Sequence, residues 1–156
     1  MKIEYLDQAN SLANKIGNLK IATNSKQSDR LIALGIKIET ADCFIRKITE
    51  TDDWSDYNTN HSLFEPWMNK ENIIKSMFKP AWSLTRILEL LPNWITNSTV
   101  DIELNIDASL SISYRWRDIG GIDEYVTFDK GNIYDNACDT IEWLIKEGYL
   151  DKYYLT

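Results

Sequence analysis

The chain has little proline, glycine, cysteine or histidine, and each scarcity excludes a class of protein. Three Pro and six Gly among 156 residues are too few for a collagenous or linker-rich chain. Two Cys and one His cannot build a standard structural zinc site. Cys43 and Cys138 each lie in an apolar stretch, where we expect buried free thiols rather than a disulfide. We therefore expect neither a metal site nor a cofactor.

Long apolar runs are also missing. No stretch approaches the roughly 20 apolar residues that a membrane-spanning helix needs. The first residues, Met1-Lys2-Ile3-Glu4, do not lead into the apolar core of a signal peptide. By elimination, we expect a cytoplasmic protein that does not contact a membrane.

Aromatic residues, in contrast, are abundant. The chain is 44% hydrophobic and contains six Trp and eight Tyr, which is enough to fill one well-packed core. Its length is typical of a single domain, which we assign to residues 1–156. Within it we expect a helical N-terminal part over 1–48, a long loop region over 49–80, and a helix, three strands and a final helix over 81–156.

The net charge of −7 is unevenly distributed along the chain. Residues 1–50 hold eight Lys or Arg and six Asp or Glu, a balance of +2, whereas residues 51–156 hold nine and eighteen, a balance of −9. A nucleic-acid binder needs clustered cations that displace counterions from phosphates. This distribution predicts that nucleic acid is not the partner.

Apolar spacing of three and four residues predicts four helices. They run over 4–16, over about 25–34 with Ser25 as the cap, over 84–91 with Ser83 as the cap, and from about 133 to 147 with Gly148 after the last turn. The segment 36–49 is ambiguous between strand and helix. Residues 72–78 resemble a helical turn that Pro80 ends.

Alternating apolar and polar residues predict three antiparallel strands between about 99 and 128. Matching the apolar faces requires a three-residue hairpin loop over 107–109, which pairs Ile106 with Leu110. The fold class is therefore α+β, with a three-stranded meander that helices cover on one face. The N-terminal helices complete the core.

Several carboxylates should lie on the outer face of this meander. The predicted register places Arg115 between Asp101 and Asp123, with Glu103 on the same face. General acid–base catalysis needs carboxylates with shifted pKa values, whereas an open sheet face leaves them in water. We therefore interpret these residues as cross-strand ion pairs and assign no catalytic residue.

The polar segment 49–72 contains aromatic residues but follows neither helical nor strand spacing. Long loops in compact domains are often functional, and exposed Trp and Tyr are favoured at binding surfaces. Trp54, Tyr57, His61 and Trp67 are therefore candidate binding residues, with packing onto the core as the alternative. His61 lacks a recognisable nucleophile to activate, so we do not assign it a hydrolytic role.

Three segments resemble one family. They are residues 27–35 with 39–42 (QSDRLIALG and ETAD), 80–92 (PAWSLTRILELLP) and 134–145 (YDNACDTIEWLI). In this order they are similar to segments of short uncharacterised proteins from gut anaerobic bacteria and their prophages. The resemblance implies an accessory protein of a phage or mobile element. It carries no activity and no functional residue over to this chain.

Three functions remain as hypotheses. The first is a non-enzymatic protein that binds another protein, either a different chain or a second copy in a homodimer. The second is a small-molecule enzyme that uses carboxylates in a pocket beside the 49–72 loop. The third is an acidic inhibitor that mimics DNA and binds a basic protein.

Overall fold

The computed structural model of the chain describes residues 22–47, 54, 59–60, 78–97, 100–118 and 120–156. Their α-helices are α1 (Ser25–Ala33), α2 (Leu84–Glu89) and α3 (Ile133–Glu147). Their β-strands are β1 (Cys43–Arg46), β2 (Thr59–Asn60), β3 (Phe78–Ala81), β4 (Trp94–Asn97), β5 (Val100–Ile106), β6 (Ile112–Asp118) and β7 (Gly121–Phe128). Short 3-10 turns lie at Ile38–Thr40 and Lys152–Tyr154.

The strands form two antiparallel sheets in the described residues, one with the order β2-β1-β3 and one with the order β4-β5-β6-β7. Helices and antiparallel sheets together confirm the α+β class. The three-stranded meander was wrong, because β4 joins the predicted strands as a fourth. Asn97 pairs with Val100, so only two residues connect β4 to β5.

The hairpin between β5 and β6 differs from the predicted one. Ile106 pairs with Ile112 rather than with Leu110, and the loop covers residues 108–110. Leu110 donates its N–H to the carbonyl of Asp107 and has φ of 65°, which makes a type I turn followed by a left-handed residue. Because the register moves by two positions, both strands keep their predicted faces.

A β-bulge helps to determine which carboxylate of β7 flanks Arg115. The register between β6 and β7 shifts next to Arg115, which pairs with Glu124 and not with the predicted Asp123. Tyr125 is the extra residue of the bulge, so Asp123 lies on the opposite face. On the other side Arg115 pairs with Glu103. Two carboxylates therefore flank Arg115 as expected, but they are not the predicted pair.

Helix α3 lies against one face of the four-stranded sheet. Helix α3 contacts β6 and β7, and its buried residues include Ala137, Cys138, Ile141 and Leu144. It begins at the cap Asn132 and ends at Gly148, whose φ of 76° is a left-handed conformation that favours glycine. Leu150 then folds back into the main core.

The described residues of the N-terminal part contain one α-helix, one 3-10 turn and one strand. Helix α1 begins after Asn24, whose side chain accepts the N–H of Gln27, so Asn24 and not Ser25 is its cap. The ambiguous segment 36–49 contains a 3-10 turn and strand β1. Strands β2 and β3 lie in the segment predicted as a long loop, and Pro80 belongs to β3. The predicted helix over 4–16 lies outside the described residues.

Trp82 connects the smaller sheet to the main core. It is buried, donates its indole N–H to the hydroxyl of Thr40 (2.9 Å) and its backbone N–H to that of Thr23 (3.0 Å). In the part of the chain that the structure describes, no helix is long and apolar enough to cross a membrane.

Candidate binding surface

Four side chains form one row across the outer face of the four-stranded sheet, the face turned away from α3. Strand register places Trp94 opposite Glu103, Glu103 opposite Arg115, and Arg115 opposite Glu124. Directly opposite residues on neighbouring antiparallel strands have Cβ atoms about 5 Å apart. These four side chains therefore form a continuous strip, which we call the outer row.

Trp94 is the exposed aromatic end of the outer row. The next residue, Ile95, is only 4% exposed and anchors β4 in the main core. Because side chains alternate along a strand, Trp94 is turned outward, where 59% of its surface is exposed. An indole this exposed provides a flat apolar surface that also attracts cations through its π face.

Arg115 and Glu124 form an ion pair at the centre of the outer row. The Arg115 Nη2 donates to Oε1 of Glu124 (2.7 Å), and Thr127 donates its hydroxyl to the other carboxylate oxygen (2.7 Å). The hydrogen bond from Thr127, followed by the guanidinium of Arg115, lowers the pKa of Glu124. Glu124 therefore stays ionised at neutral pH, and its negative charge balances the positive charge of Arg115.

Three polar atoms next to this ion pair are buried without a hydrogen-bond partner. They are Nδ2 of Asn105, Oγ of Ser113 and Nε of Arg115. Asn105 pairs with Ser113 across β5 and β6, and Ser113 lies two residues before Arg115, so all three share the outer face. Buried polar groups in folded proteins normally have partners. Burial without a partner costs these groups their hydrogen bonds to water, which lowers the stability of the fold.

A second carboxylate lies beside Trp94 at the same edge of the sheet. Asp101 pairs with Thr96, and its Oδ1 accepts a hydrogen bond from the Thr96 hydroxyl (2.9 Å). Asp101 had been predicted beside Arg115, but the shifted hairpin moves it along β5. Asp101 and Glu103 are both exposed and both face the strand that carries Trp94.

Trp54 is the one predicted binding residue that the structure describes. It is half-buried and packs against a small apolar cluster of Ala22, Cys43, Ile45 and Ala81. The ammonium groups of Lys47 and Lys79 lie 4.7 and 4.8 Å from its ring centroid. These contacts fix the indole to the smaller sheet, which favours the packing alternative for this residue.

The other predicted binding residues, Tyr57, His61 and Trp67, lie outside the described residues. Whether they join Trp54 in one surface stays a prediction. The carboxylate pocket predicted beside the 49–72 loop falls for the most part in the same undescribed segment.

Both cysteines are free and buried, as predicted. Burial raises the pKa of Cys43 to about 11 and that of Cys138 to about 12. Since only the thiolate is a good nucleophile or metal ligand, these thiols are unreactive at neutral pH. Among the described residues, no group of three or more His, Cys, Asp or Glu could hold a metal ion.

Trp94 is not among the binding residues predicted from the sequence. Its signal was the alternation of an outward Trp94, an inward Ile95 and an outward Thr96, two residues after Pro92 and before the first predicted strand. Four residues are too few for alternation to distinguish a strand from a loop. In the structure, pairing with β5 shows that this segment is a strand.

Comparison with known proteins found no match for this chain. No family model matches the chain, and no curated protein or solved structure matches it. The resemblance to prophage proteins of gut anaerobes therefore stays a prediction.

Proposed function

We propose that this protein is a non-enzymatic binding protein, and that its partner is another protein with a basic surface that docks on the outer row. The observation that carries the proposal is Trp94, which is 59% exposed on a strand that is anchored in the core. Rigid, exposed aromatic residues of this kind supply most of the binding energy at many protein interfaces.

The charges around Trp94 determine the kind of partner. Glu103 stands directly opposite Trp94, and Asp101 stands opposite Thr96 on the same face. A lysine or arginine placed over the indole gains a cation–π contact and lies within reach of these carboxylates. The chain as a whole carries −7, which attracts a basic partner from a distance.

The exposure of the carboxylates favours binding over catalysis. Asp101 and Glu103 are themselves exposed, so water solvates their carboxylates. A catalytic acid or base usually depends on a desolvated site that shifts its pKa. The accessory role in a phage or mobile element, which the family resemblance implies, is compatible with a binding protein and is part of this proposal.

The experiment starts from a partner captured with the tagged protein, identified and then purified. Calorimetry should show that Trp94→Ala weakens its binding by at least about tenfold, because the aromatic anchor is lost. The matched control is Tyr153→Ala, since Tyr153 is an exposed aromatic residue away from the sheet. Equal affinity of wild type and Trp94→Ala would contradict the proposal, provided that both variants fold.

A further inference from the structure

The outer edge of β4 presents backbone groups that pair with nothing in the described residues. Asn93 accepts the N–H of Leu104 (2.9 Å), so position 93 and, by alternation, Ile95 and Asn97 exchange hydrogen bonds with β5. The N–H and C=O groups of Trp94 and Thr96 consequently point away from β5. No hydrogen bond joins these groups to another residue of the described part of the chain.

The two edges of the four-stranded sheet differ in how they are protected. At one edge, β7 carries the bulge at Tyr125 and the neighbouring carboxylates of Asp123 and Glu124. Bulges and charges are devices by which proteins keep edge strands from pairing with other chains. Strand β4, Trp-Ile-Thr-Asn, contains no charged residue, proline or bulge. Its β-branched and aromatic residues favour further pairing.

Side chains on both faces of this edge define what an added strand would have to carry. On the outer face, a long basic side chain opposite Trp94 reaches across the indole toward Glu103. Thr96 is small, so a second basic side chain passes over it toward Asp101. On the inner face, Val100, which is 41% exposed, offers an apolar contact. Residues of a strand alternate between these two faces.

We infer that the partner contributes an extended segment of alternating basic and apolar residues, which joins β4 as a fifth strand. This inference rests on the proposed function and specifies how the partner binds. Main-chain hydrogen bonds to Trp94 and Thr96 supply affinity, as in other cases of strand addition. The carboxylates of Asp101 and Glu103 select basic side chains.

The probe for this binding mode is a synthetic seven-residue peptide that alternates Lys with Val, added to the full-length protein. Calorimetry measures its affinity, and amide hydrogen exchange followed by NMR measures the protection of single residues. We expect binding, and we expect the amides of Trp94 and Thr96 to become protected from exchange. A peptide with Glu in place of Lys should bind at least about tenfold more weakly.

The decisive variant is Thr96→Pro, which removes an edge N–H that β5 does not use. Proline is tolerated on an edge strand where the N–H faces solvent, so the β4–β5 pairing survives. Its matched control is Thr96→Val, which keeps the N–H and loses only the hydroxyl bound to Asp101. We expect Thr96→Pro to weaken peptide binding at least about tenfold, and Thr96→Val to stay within about twofold of wild type.

The outcomes separate this inference from the proposed function. If Trp94→Ala weakens binding and Thr96→Pro does not, a partner binds the face but not as a strand, and the inference is wrong. If neither variant weakens binding, the proposed function fails as well. Equal binding of the Glu peptide would overturn the selection of basic side chains. A protein that dimerises alone, and loses this dimer in Thr96→Pro, would replace the partner segment with a second copy.

Discussion

At the scale of single residues, two buried serines differ in one respect that determines their contribution to stability. Ser28 and Ser113 are both 0% exposed. The hydroxyl of Ser28 hydrogen-bonds that of Thr23 (2.8 Å), whereas the hydroxyl of Ser113 has no partner. We expect Ser28→Ala to lower the free energy of unfolding by about 1 kcal/mol, and Ser113→Ala to leave it unchanged or raise it by up to about 1 kcal/mol.

Urea unfolding of both variants measures this difference directly, and each serves as the control for the other because the substitution is the same. A loss of similar size in both variants would show that Ser113 has a partner after all.

Asp107 makes the stability of the β5–β6 hairpin depend on pH. Hydrogen bonds from Ser109 and then Ser111 lower the pKa of Asp107 to about 2. Since the unfolded-state pKa is about 3.9, the folded state binds the proton less tightly. Its contribution to stability is therefore complete above that value and is lost as the pH falls toward about 2.

An NMR titration of the Asp107 carboxyl carbon, together with acid unfolding of wild type and Asp107→Asn, tests this. Asp107→Asn should reduce the difference in stability between pH 5 and pH 2. If Asp107 titrated with its unfolded-state pKa, it could not cause this pH dependence of stability.

At the scale of elements, Gln27 connects the beginnings of two helices. Its side-chain oxygen accepts the N–H of Asn24 at the start of α1 (2.9 Å). Its amide nitrogen donates to Asp135 in the first turn of α3 (2.6 Å). Since Gln27 is only 6% exposed, Gln27→Ala leaves these groups without partners, and we expect a loss of about 2 kcal/mol in unfolding free energy.

Gln27→Glu is the matched variant for this prediction. It keeps the acceptor for Asn24 but places a second carboxylate against Asp135, which raises the pKa of the introduced glutamate. The variant should therefore be less stable than wild type at pH 7 and recover part of the difference as the pH falls through that raised pKa. Thermal unfolding at pH 4 and pH 7 measures it; a loss that does not depend on pH would contradict the arrangement.

At the scale of elements, some features of the fold were predictable from the sequence and others were not. Helices α2 and α3 were predictable because apolar spacing agrees with a polar cap at Ser83 for α2 and with a stop signal at Gly148 for α3. The hairpin loop was not, because it places Leu110 in a left-handed conformation that normally favours Gly or Asn. The bulge at Tyr125 leaves no mark on the alternation, so the exchange of Asp123 for Glu124 beside Arg115 was hidden.

At the scale of the whole molecule, the candidate site depends on exposure, which the sequence does not contain. The density of aromatic residues predicted a binding surface in the 49–72 loop, yet Trp54 packs against the smaller sheet between two lysines. Composition does not show whether a given tryptophan, such as Trp94, is buried or exposed. Trp94 is exposed only because β4 pairs at the edge of the sheet with Ile95 turned inward.

The charge of the molecule predicts how binding responds to salt. Residues 51–156, which hold the outer row, have twice as many acidic as basic residues, so their field accelerates the approach of a basic segment. The field is screened over about 8 Å at physiological ionic strength and over about 3 Å at 1 M salt. Stopped-flow measurements with the Lys–Val peptide should show an association rate that falls by about tenfold or more between 50 mM and 500 mM salt.

Two variants should show which interaction affects the association rate and which affects the dissociation rate. Glu103→Gln removes a charge next to Trp94 and should lower the association rate at 50 mM salt while flattening its salt dependence. Thr96→Pro leaves the charge unchanged and should act on the dissociation rate, because it removes a short-range hydrogen bond. If Thr96→Pro changed the salt dependence and Glu103→Gln did not, the carboxylates would not guide the segment, and the field of the molecule would play no part in choosing its partner.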